Sequence, residues 1–255
     1  MYGPRARLGR INPSPETVGD QEWGRLCPDG VITVSTRMFI ERVDPEGLTA
    51  MVGQVERAAK ELATARPSVI LMAGTAGAFN GGPGFDRELI ERIEDAAGVP
   101  ATTTMTAVLD ALDALDIERV GVATSYIQSV DDLLAAALRA AGKDVVAIRG
   151  MGILKSIDMG DVEPDTTQRF TAGLLAELGG AAGADGCLIS CGNLRTIEAI
   201  ATLEADFGLP VVTSNQAGLW QALGMAGIDA NQVSGAGRLF ATPGKAVPSS
   251  AKAIS

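Results

Sequence analysis

Cys191 is the residue whose type and position best suit proton chemistry in this sequence. It follows an apolar run over residues 186–190 and precedes a helical pattern that begins near Thr196. Backbone N–H groups and a helix N-terminus at such a place can lower the pKa of a thiol and stabilise the thiolate. A small residue packed at a strand end is an equally good explanation, because free cysteine is often simply buried. Cys187 lies inside the run and Cys27 lies in a loop, so neither is assigned chemistry.

Two further segments could hold a negatively charged ligand. The segment Gly74-Thr75-Ala76-Gly77 follows an apolar run over residues 68–73, and its N–H groups and hydroxyl could bind a carboxylate. A glycine-rich turn without a ligand is the more common explanation of such a motif. Tyr126 ends another apolar run and could donate a hydrogen bond to an oxyanion, although aromatic residues at strand ends are often only packed. Three basic residues nearest these segments are interpreted as solvated surface charges: Arg37, Lys155 and Arg195.

The composition removes several classes of chemistry. The chain has 255 residues and no histidine, which excludes the usual general base and every Ser-His or Cys-His dyad. Acid–base work therefore falls to Cys, Tyr, Lys, Asp or Glu. The three cysteines suggest neither a disulfide framework nor a Cys-x-x-Cys zinc pair, and the sequence contains no nucleotide-binding glycine motif. We therefore expect no metal and no cofactor.

Charge and hydropathy bear on partners and location. The formal net charge is -10 and the basic residues are scattered, so nucleic acid is not an expected partner. No apolar run approaches the roughly 18 residues of a membrane span, and the first residues lack the apolar stretch of a signal peptide. We expect a cytoplasmic protein without membrane association, and its oligomeric state stays open.

Short apolar runs alternate with helical patterns along the chain. Runs of this length, separated by helices, are typical of parallel sheets buried on both faces. Strands are predicted over residues 31–34, 68–73, 119–123, 144–148, 186–190 and 210–213. Helices are predicted over residues 45–65, 85–97, 106–115, 130–141, 166–178 and 196–207, where acidic residues are frequent in the first turns.

The chain also resembles itself at about half its length. Residues 9–14 have the character of residues 121–126, residues 69–74 that of residues 186–191, and residues 104–107 that of residues 214–217. We predict an α/β fold of two pseudo-twofold-related halves, each a small parallel sheet flanked by helices. The predicted division is residues 1–105 with 215–240, residues 106–214, and a flexible tail over 241–255. Ligands bind beyond the carboxyl ends of parallel strands, which predicts an interdomain cleft lined by the turns at Ser14, Gly74, Tyr126, Cys191 and Ser214.

Taken together, these segments resemble the Asp/Glu racemase superfamily, and within it the arylmalonate decarboxylase and maleate cis-trans isomerase branch. The likeness runs from Leu8 to Phe240. Its most specific pieces are Val43-Asp44-Pro45-Glu46-Gly47, Gly74-Thr75, Thr103-Thr104-Met105-Thr106-Ala107-Val108-Leu109, Ala123-Thr124-Ser125-Tyr126-Ile127, Leu188-Ile189-Ser190-Cys191-Gly192 and Gly237-Arg238-Leu239-Phe240.

The resemblance implies a reaction as well as a fold. Racemases of the superfamily and maleate isomerases place a cysteine on each side of the cleft, whereas arylmalonate decarboxylases combine a glycine with a cysteine. In this chain the matching positions are Gly74 and Cys191, which implies a cofactor-free decarboxylase of a substituted malonate in which Cys191 protonates an enediolate. The implied donors are Thr75, Tyr126 and the backbone N–H groups of Ala76, Cys191 and Gly192. The implied apolar pocket consists of positions matching Ile40, Val43, Leu48, Gly77, Ser156 and Met159.

Three departures from the decarboxylase pattern leave alternatives open. Ala76 stands where the decarboxylases have a serine. Gly77 and Ser156 replace larger apolar residues, which predicts a roomier and wetter pocket. The segment Ser35-Thr36-Arg37-Met38 is closer to the isomerase branch. The alternatives are a maleate-type cis-trans isomerase, an epimerase or amino-acid or hydantoin racemase with a non-thiol second base, and a non-catalytic binder. The expected partner is a small mono- or dicarboxylate substrate.

Overall fold

The computed structural model describes residues 2–244, which form two four-stranded parallel sheets. The strands are β1 (Ala6–Pro13), β2 (Val31–Met38), β3 (Val69–Met72), β4 (Ala101–Thr103), β5 (Arg119–Thr124), β6 (Asp144–Gly150), β7 (Gly186–Ser190) and β8 (Val211–Thr213). The strand order is β2-β1-β3-β4 in the first sheet and β6-β5-β7-β8 in the second. The two sheets therefore share one topology.

Helices connect the strands and flank each sheet. They are α1 (Gly19–Leu26), α2 (Pro45–Val52), α3 (Val55–Ala63), α4 (Thr75–Phe79), α5 (Phe85–Ala97), α6 (Thr104–Ala114), α7 (Gln128–Ala140), α8 (Ser156–Gly160), α9 (Pro164–Leu178), α10 (Ile197–Phe207) and α11 (Ser214–Met225). Short 3₁₀ turns cover Gly180–Ala182, Ala230–Gln232 and Arg238–Ala241.

The third strand of each half in chain order is buried along its whole length. All residues of β3, with sequence Val-Ile-Leu-Met, and of β7, with sequence Gly-Cys-Leu-Ile-Ser, are buried. Strands buried on both faces need continuously apolar or small side chains, which is the pattern seen in the sequence. The predicted α/β fold of two matching halves is confirmed.

The last strand of each sheet ends in a threonine that caps the following helix. Thr103 Oγ1 accepts a hydrogen bond from Thr106 N at 3.1 Å, and Thr213 Oγ1 accepts one from Gln216 N at 3.3 Å. The similar segments at residues 104–107 and 214–217 are thus the first turns of α6 and α11. These two helices pack against each other.

The single helix predicted over residues 45–65 is wrong, because the chain forms α2 and α3 with a break at Gly53 and Gln54. Glycine is a poor helix former, so interrupting the helix at Gly53 costs little free energy. It also frees the Gln54 side chain, which accepts a hydrogen bond from Phe39 N at 3.0 Å and donates one to Phe39 O at 3.0 Å. The break therefore fixes the backbone just after β2.

The segment after β2 crosses to the second half of the molecule. Val43 N donates a hydrogen bond to Leu154 O at 2.8 Å, and Ser156 N donates one to Glu41 O at 3.3 Å. Ile40 and Val43, which belong to this crossing segment, are both buried. The segment therefore forms a wall between the two sheets, beyond the carboxyl end of β2.

The division into residues 1–105 with 215–240 and residues 106–214 stays a prediction. Part of the predicted tail, residues 245–255, lies outside the described residues. At its beginning, Thr242 O accepts a hydrogen bond from Trp220 Nε1 at 3.0 Å. Among the helices of residues 2–244, none combines the length and the apolar character needed to cross a bilayer.

Candidate active site

The carboxyl ends of strands from both halves meet at one cavity. Its volume, counted as the space open to the centre of a water-sized sphere, is about 40 Å³. It is lined by Pro13, Glu16, Ile40, Val43, Leu48, Met51, Gly74, Thr75, Ala76, Gly77, Tyr126, Ser156, Met159, Cys191, Gly192 and Asn193. The structure thus brings together the predicted residues Gly74, Thr75, Ala76, Tyr126, Cys191, Gly192, Ile40, Val43, Leu48, Gly77, Ser156 and Met159.

Cys191 lies directly after β7 with its sulfur in this cavity wall. Its side chain is almost fully buried, and its Sγ lies 3.7 Å from Met159 Sδ and accepts a hydrogen bond from Asn193 N at 3.4 Å. Burial raises the pKa of the Cys191 thiol to about 11, although the hydrogen bond from the Asn193 N–H acts to lower it. The sulfur is therefore a neutral thiol at neutral pH.

This protonation state differs from the sequence expectation of a stabilised thiolate. The helix expected after Cys191 begins only at Ile197, six positions further along the chain, so Cys191 does not belong to its first turn. Desolvation in the cavity outweighs the few N–H donors that reach Sγ. A neutral thiol can donate a proton, whereas a nucleophile or a base would need the thiolate.

Gly74 occupies the corresponding position after β3. Its φ is +99°, a left-handed backbone conformation that residues other than glycine rarely adopt. A Cβ atom built on it would lie 3.2 Å from Pro13 Cγ and 3.5 Å from Met51 Cε. Both the backbone conformation and the neighbouring side chains therefore favour glycine there.

Hydroxyl groups gather on one side of the cavity. Thr75 Oγ1 lies 2.9 Å from Ser214 Oγ, and Tyr126 OH lies 3.4 Å from Ser190 Oγ. Burial raises the pKa of the Tyr126 phenol well above its usual value, so the phenol stays protonated and can donate. Cys191 N donates to Ser214 Oγ at 3.1 Å, so this N–H is already used and is not a free donor as the resemblance implied.

Apolar side chains form much of the remaining wall. Ile40, Val43, Leu48, Met51 and Met159 are all buried there. The roomier pocket predicted at Gly77 is wrong, because a Cβ at that position would lie only 2.6 Å from Met51 Cε. The methionine methyl group already fills the space that a larger residue at position 77 would take. Ser156 lies on the wall, and its carbonyl accepts a hydrogen bond from Asn193 Nδ2 at 2.8 Å.

The structure does not bring Ser14 to the cavity wall. Its hydroxyl is used to hold Ile40, accepting from Ile40 N at 3.1 Å and donating to Ile40 O at 3.3 Å. Ser14 instead lines a separate surface depression with Phe39, Lys155 and Ile157.

None of the three basic residues near the predicted cleft lies among the residues that line the cavity. The Arg37 guanidinium donates to the carbonyl oxygens of Ser14 and Glu16 and to Asp20. Arg195 binds the Val162 carbonyl oxygen and pairs with Glu163. Within residues 2–244, no three acidic or thiol side chains cluster as metal ligands would.

Sequence reasoning missed four residues of the wall: Pro13, Glu16, Met51 and Asn193. Glu16 follows β1 and its carboxyl is buried, which a polar residue shortly after a predicted strand could have suggested. Asn193 ties the loops together, since its Oδ1 accepts from Thr17 N at 2.8 Å while its Nδ2 donates to Ser156 O. Met51 and Pro13 carried no signal, because their positions depend on tertiary packing.

Two topologically matching α/β halves with a strand-end thiol between them define the Asp/Glu racemase class of folds. The sequence model described as "Arylmalonate decarboxylase" matches residues 15–240. The chain belongs to the arylmalonate decarboxylase family, which confirms the resemblance seen in its motifs.

Relatives of this chain include both decarboxylases and isomerases. The chain is 34% identical over 233 residues to the arylmalonate decarboxylase of Bordetella bronchiseptica, covering 91% of this chain and 95% of that protein. A liganded double mutant of arylmalonate decarboxylase has a TM-score of 0.86 and 33% identity, over 92% of this chain and 98% of that one. A mutant maleate cis-trans isomerase of Nocardia farcinica, solved with a covalently bound succinylcysteine intermediate, has a TM-score of 0.86 and 27% identity over the same shares.

Proposed function

We propose that this protein is a cofactor-free decarboxylase of a substituted malonate, in which Cys191 donates a proton to an enediolate. The observation that carries the proposal is a neutral thiol, that of Cys191, on the wall of a cavity in which Gly74 occupies the matching position after β3. A decarboxylase needs one acid in the protonated form, and this cavity offers that acid without a second thiol at position 74.

The reaction divides into two steps that the cavity can serve. Cleavage of the bond between the central carbon and one carboxylate releases CO2 and leaves its electron pair on the remaining carboxylate as an enediolate. The Thr75 hydroxyl and the Tyr126 phenol can donate hydrogen bonds where that negative charge develops. The Cys191 S–H bond then breaks, a C–H bond forms at the central carbon, and the sulfur takes a proton from solvent before the next turnover.

The apolar wall favours the first step. Met51, Leu48 and Met159 offer a departing carboxylate no strong donor, so its charged form is poorly solvated there and neutral CO2 is favoured. With Met51 filling the space beside Gly77, the cavity suits a malonate whose substituent fits against methionine and aliphatic side chains.

A maleate-type isomerase is the second candidate, supported by an equal TM-score of 0.86 to the Nocardia farcinica isomerase. A mutant of that enzyme carries a covalently bound succinylcysteine intermediate, and forming such a carbon–sulfur bond requires a nucleophilic sulfur. In the present chain burial raises the pKa of Cys191 to about 11, and Gly74 supplies no second thiol, so the isomerase is the weaker candidate.

Product analysis separates these reactions. Phenylmalonate, methylmalonate and maleate are each incubated with the protein in D2O, and CO2, organic acids and deuterium content are measured. We expect CO2 from a malonate and one solvent deuteron on the central carbon of the monoacid product. Fumarate formed from maleate without CO2 would instead indicate the isomerase, and tight binding without any conversion would indicate a non-catalytic binder.

A further inference from the structure

Glu16 places a carboxyl group on the cavity wall close to the thiol. The residue is 2% exposed, and its Oε1 accepts a hydrogen bond from Arg10 NH2 at 2.9 Å. Its Oε2 has no hydrogen-bond partner among the residues that the structure describes. A Cβ built on Gly192, the residue after Cys191, would lie 3.3 Å from this Oε2, so the unpaired oxygen lies beside the reacting segment.

The groups that face Glu16 do not fix it as a carboxylate. Arg10, on β1, divides its guanidinium between Glu16 and Asp20, and Asp20, on α1, also pairs with Arg37 on β2. Burial raises the pKa of Glu16, the attraction of Arg10 lowers it, and the negative charge of Asp20 raises it again, with a net increase. Cys191 faces Glu16 from the other half as a neutral thiol.

The cavity has no cation of its own. Among its lining residues Glu16 is the one carboxyl and no lysine or arginine is present. An ionised Glu16 would therefore share a poorly solvated space with a dicarboxylate, and like charges in such a space repel strongly. A protonated Glu16 removes that repulsion and adds an O–H donor.

We propose that Glu16 makes dicarboxylate binding in this cavity depend on pH: its protonated Oε2–H donates a hydrogen bond to the bound ligand, and its ionised form repels the ligand. The ligand class rests on the proposed function. The proton enters from solvent with the ligand and returns to solvent when the ligand leaves. Above the pKa of Glu16, binding must take up this proton, so the affinity falls about tenfold for each further pH unit.

The test measures binding separately from turnover. Phenylmalonate is titrated calorimetrically into the Cys191→Ala variant over a series of pH values that extends upward from the ordinary range of a glutamate carboxyl, because burial raises the pKa of Glu16. Repeating each titration in buffers of different ionisation enthalpy counts the protons taken up. We expect uptake that approaches one proton per site as the pH rises, with an affinity that weakens about tenfold per pH unit.

Adding Glu16→Gln should abolish the pH dependence. The glutamine keeps the shape and the hydrogen bond to Arg10, and its amide can donate to the ligand at every pH, so binding should persist with constant affinity and no proton uptake. Glu22→Gln is the matched control. Glu22 is also buried, with its pKa raised to about 7 by burial, but it binds Asn215 and does not line the cavity. This control should keep the proton uptake, and thermal unfolding checks that each variant is folded.

Several results would overturn the inference. Proton uptake that survives Glu16→Gln, or that is lost in Glu22→Gln, would contradict the role of Glu16. So would phenylmalonate binding to the Cys191→Ala variant without any proton uptake, or no binding at any pH. CO2 release by the unsubstituted protein is assayed in parallel. Turnover with pH-independent binding would refute the role of Glu16 and leave the decarboxylase proposal intact. Binding that depends on pH, without turnover, would support the role of Glu16 and refute the decarboxylase proposal.

Discussion

The two halves end their third strands at the same cavity with different residues. After β3 the chain passes through Ala73 to Gly74, whose φ is +99°, and enters α4 at once. After β7 it reaches Cys191 and runs through a turn before α10 begins at Ile197. One strand end therefore contributes backbone alone, and the other contributes a thiol. The two halves share one topology and differ in the residue at this equivalent position.

The helices that follow the last strands show the same divergence. Thr104 begins α6 and its Oγ1 donates to Met72 O at 3.2 Å, which stays within the first half. Ser214 begins α11, and its Oγ accepts from Cys191 N and lies 2.9 Å from Thr75 Oγ1. The hydroxyl of Ser214 thus links the thiol segment with the hydroxyl side of the cavity. Ser214 is not among the residues that line the cavity, so its hydroxyl can act on the site only through Cys191 and Thr75.

Removing the thiol should have the largest effect. Cys191→Ala is expected to lower kcat for malonate decarboxylation by about 10²–10⁴-fold, the usual contribution of a general acid. Steady-state CO2 release measures it. Cys187→Ala is the matched control, because that thiol lies four residues earlier in β7 and is buried away from the cavity lining. Equal losses in both variants would contradict the role of Cys191.

Adding a side chain to the opposite strand end should have the next effect. Gly74→Ala is expected to lower the free energy of unfolding by about 1–3 kcal/mol, because alanine is strained at this φ. Urea denaturation measures it. Gly142→Ala isolates the conformational part, since Gly142 has a φ of +89° and no atom within 4 Å of an added Cβ. The unfolding free energy should fall further for Gly74→Ala than for Gly142→Ala. The reverse order would show that Pro13 and Met51 do not restrict position 74.

Removing the bridging hydroxyl should have the smallest effect on stability. Ser214→Ala leaves a buried hydroxyl on Thr75 and a buried N–H on Cys191 without this partner, whereas Thr104→Ala loses one hydrogen bond within its own half. We expect the unfolding free energy of Ser214→Ala to fall by about 1 kcal/mol more than that of Thr104→Ala. kcat should fall for Ser214→Ala alone. Similar kcat values in both variants would show that Ser214 does not position Cys191 and Thr75 for the reaction.

Much of the fold could be predicted because it depends on short-range patterns. Buried parallel strands such as β7 read as apolar runs, and the repeated first turns at Thr104 and Ser214 revealed two halves. The five-residue helix Thr75–Phe79 is too short to show a 3.6-residue period, and the break at Gly53 depends on a tertiary contact between Gln54 and Phe39.

The position of the site was easier to predict than its electrostatics. Strand ends indicated Gly74 and Cys191, but the protonation of Cys191 depends on how much water the folded cavity excludes, which no local pattern records. The same holds for Met51, whose methyl group replaces a side chain at Gly77, a residue 26 positions further along the chain. The sequence identifies which groups can react, and tertiary packing determines their protonation state and the space around them.

The glycine at position 74 has a consequence for the handedness of the product. A planar enediolate with two different substituents on its central carbon presents two mirror-related faces. In the proposed reaction a thiol protonates one of them, and the matching strand end, Gly74, brings no side chain to the cavity. The sulfur does not choose between enantiomers by itself. In the proposed reaction the choice would fall to Leu48, Met51 and Met159, because the packing of the larger substituent against them would determine which face is turned toward the sulfur.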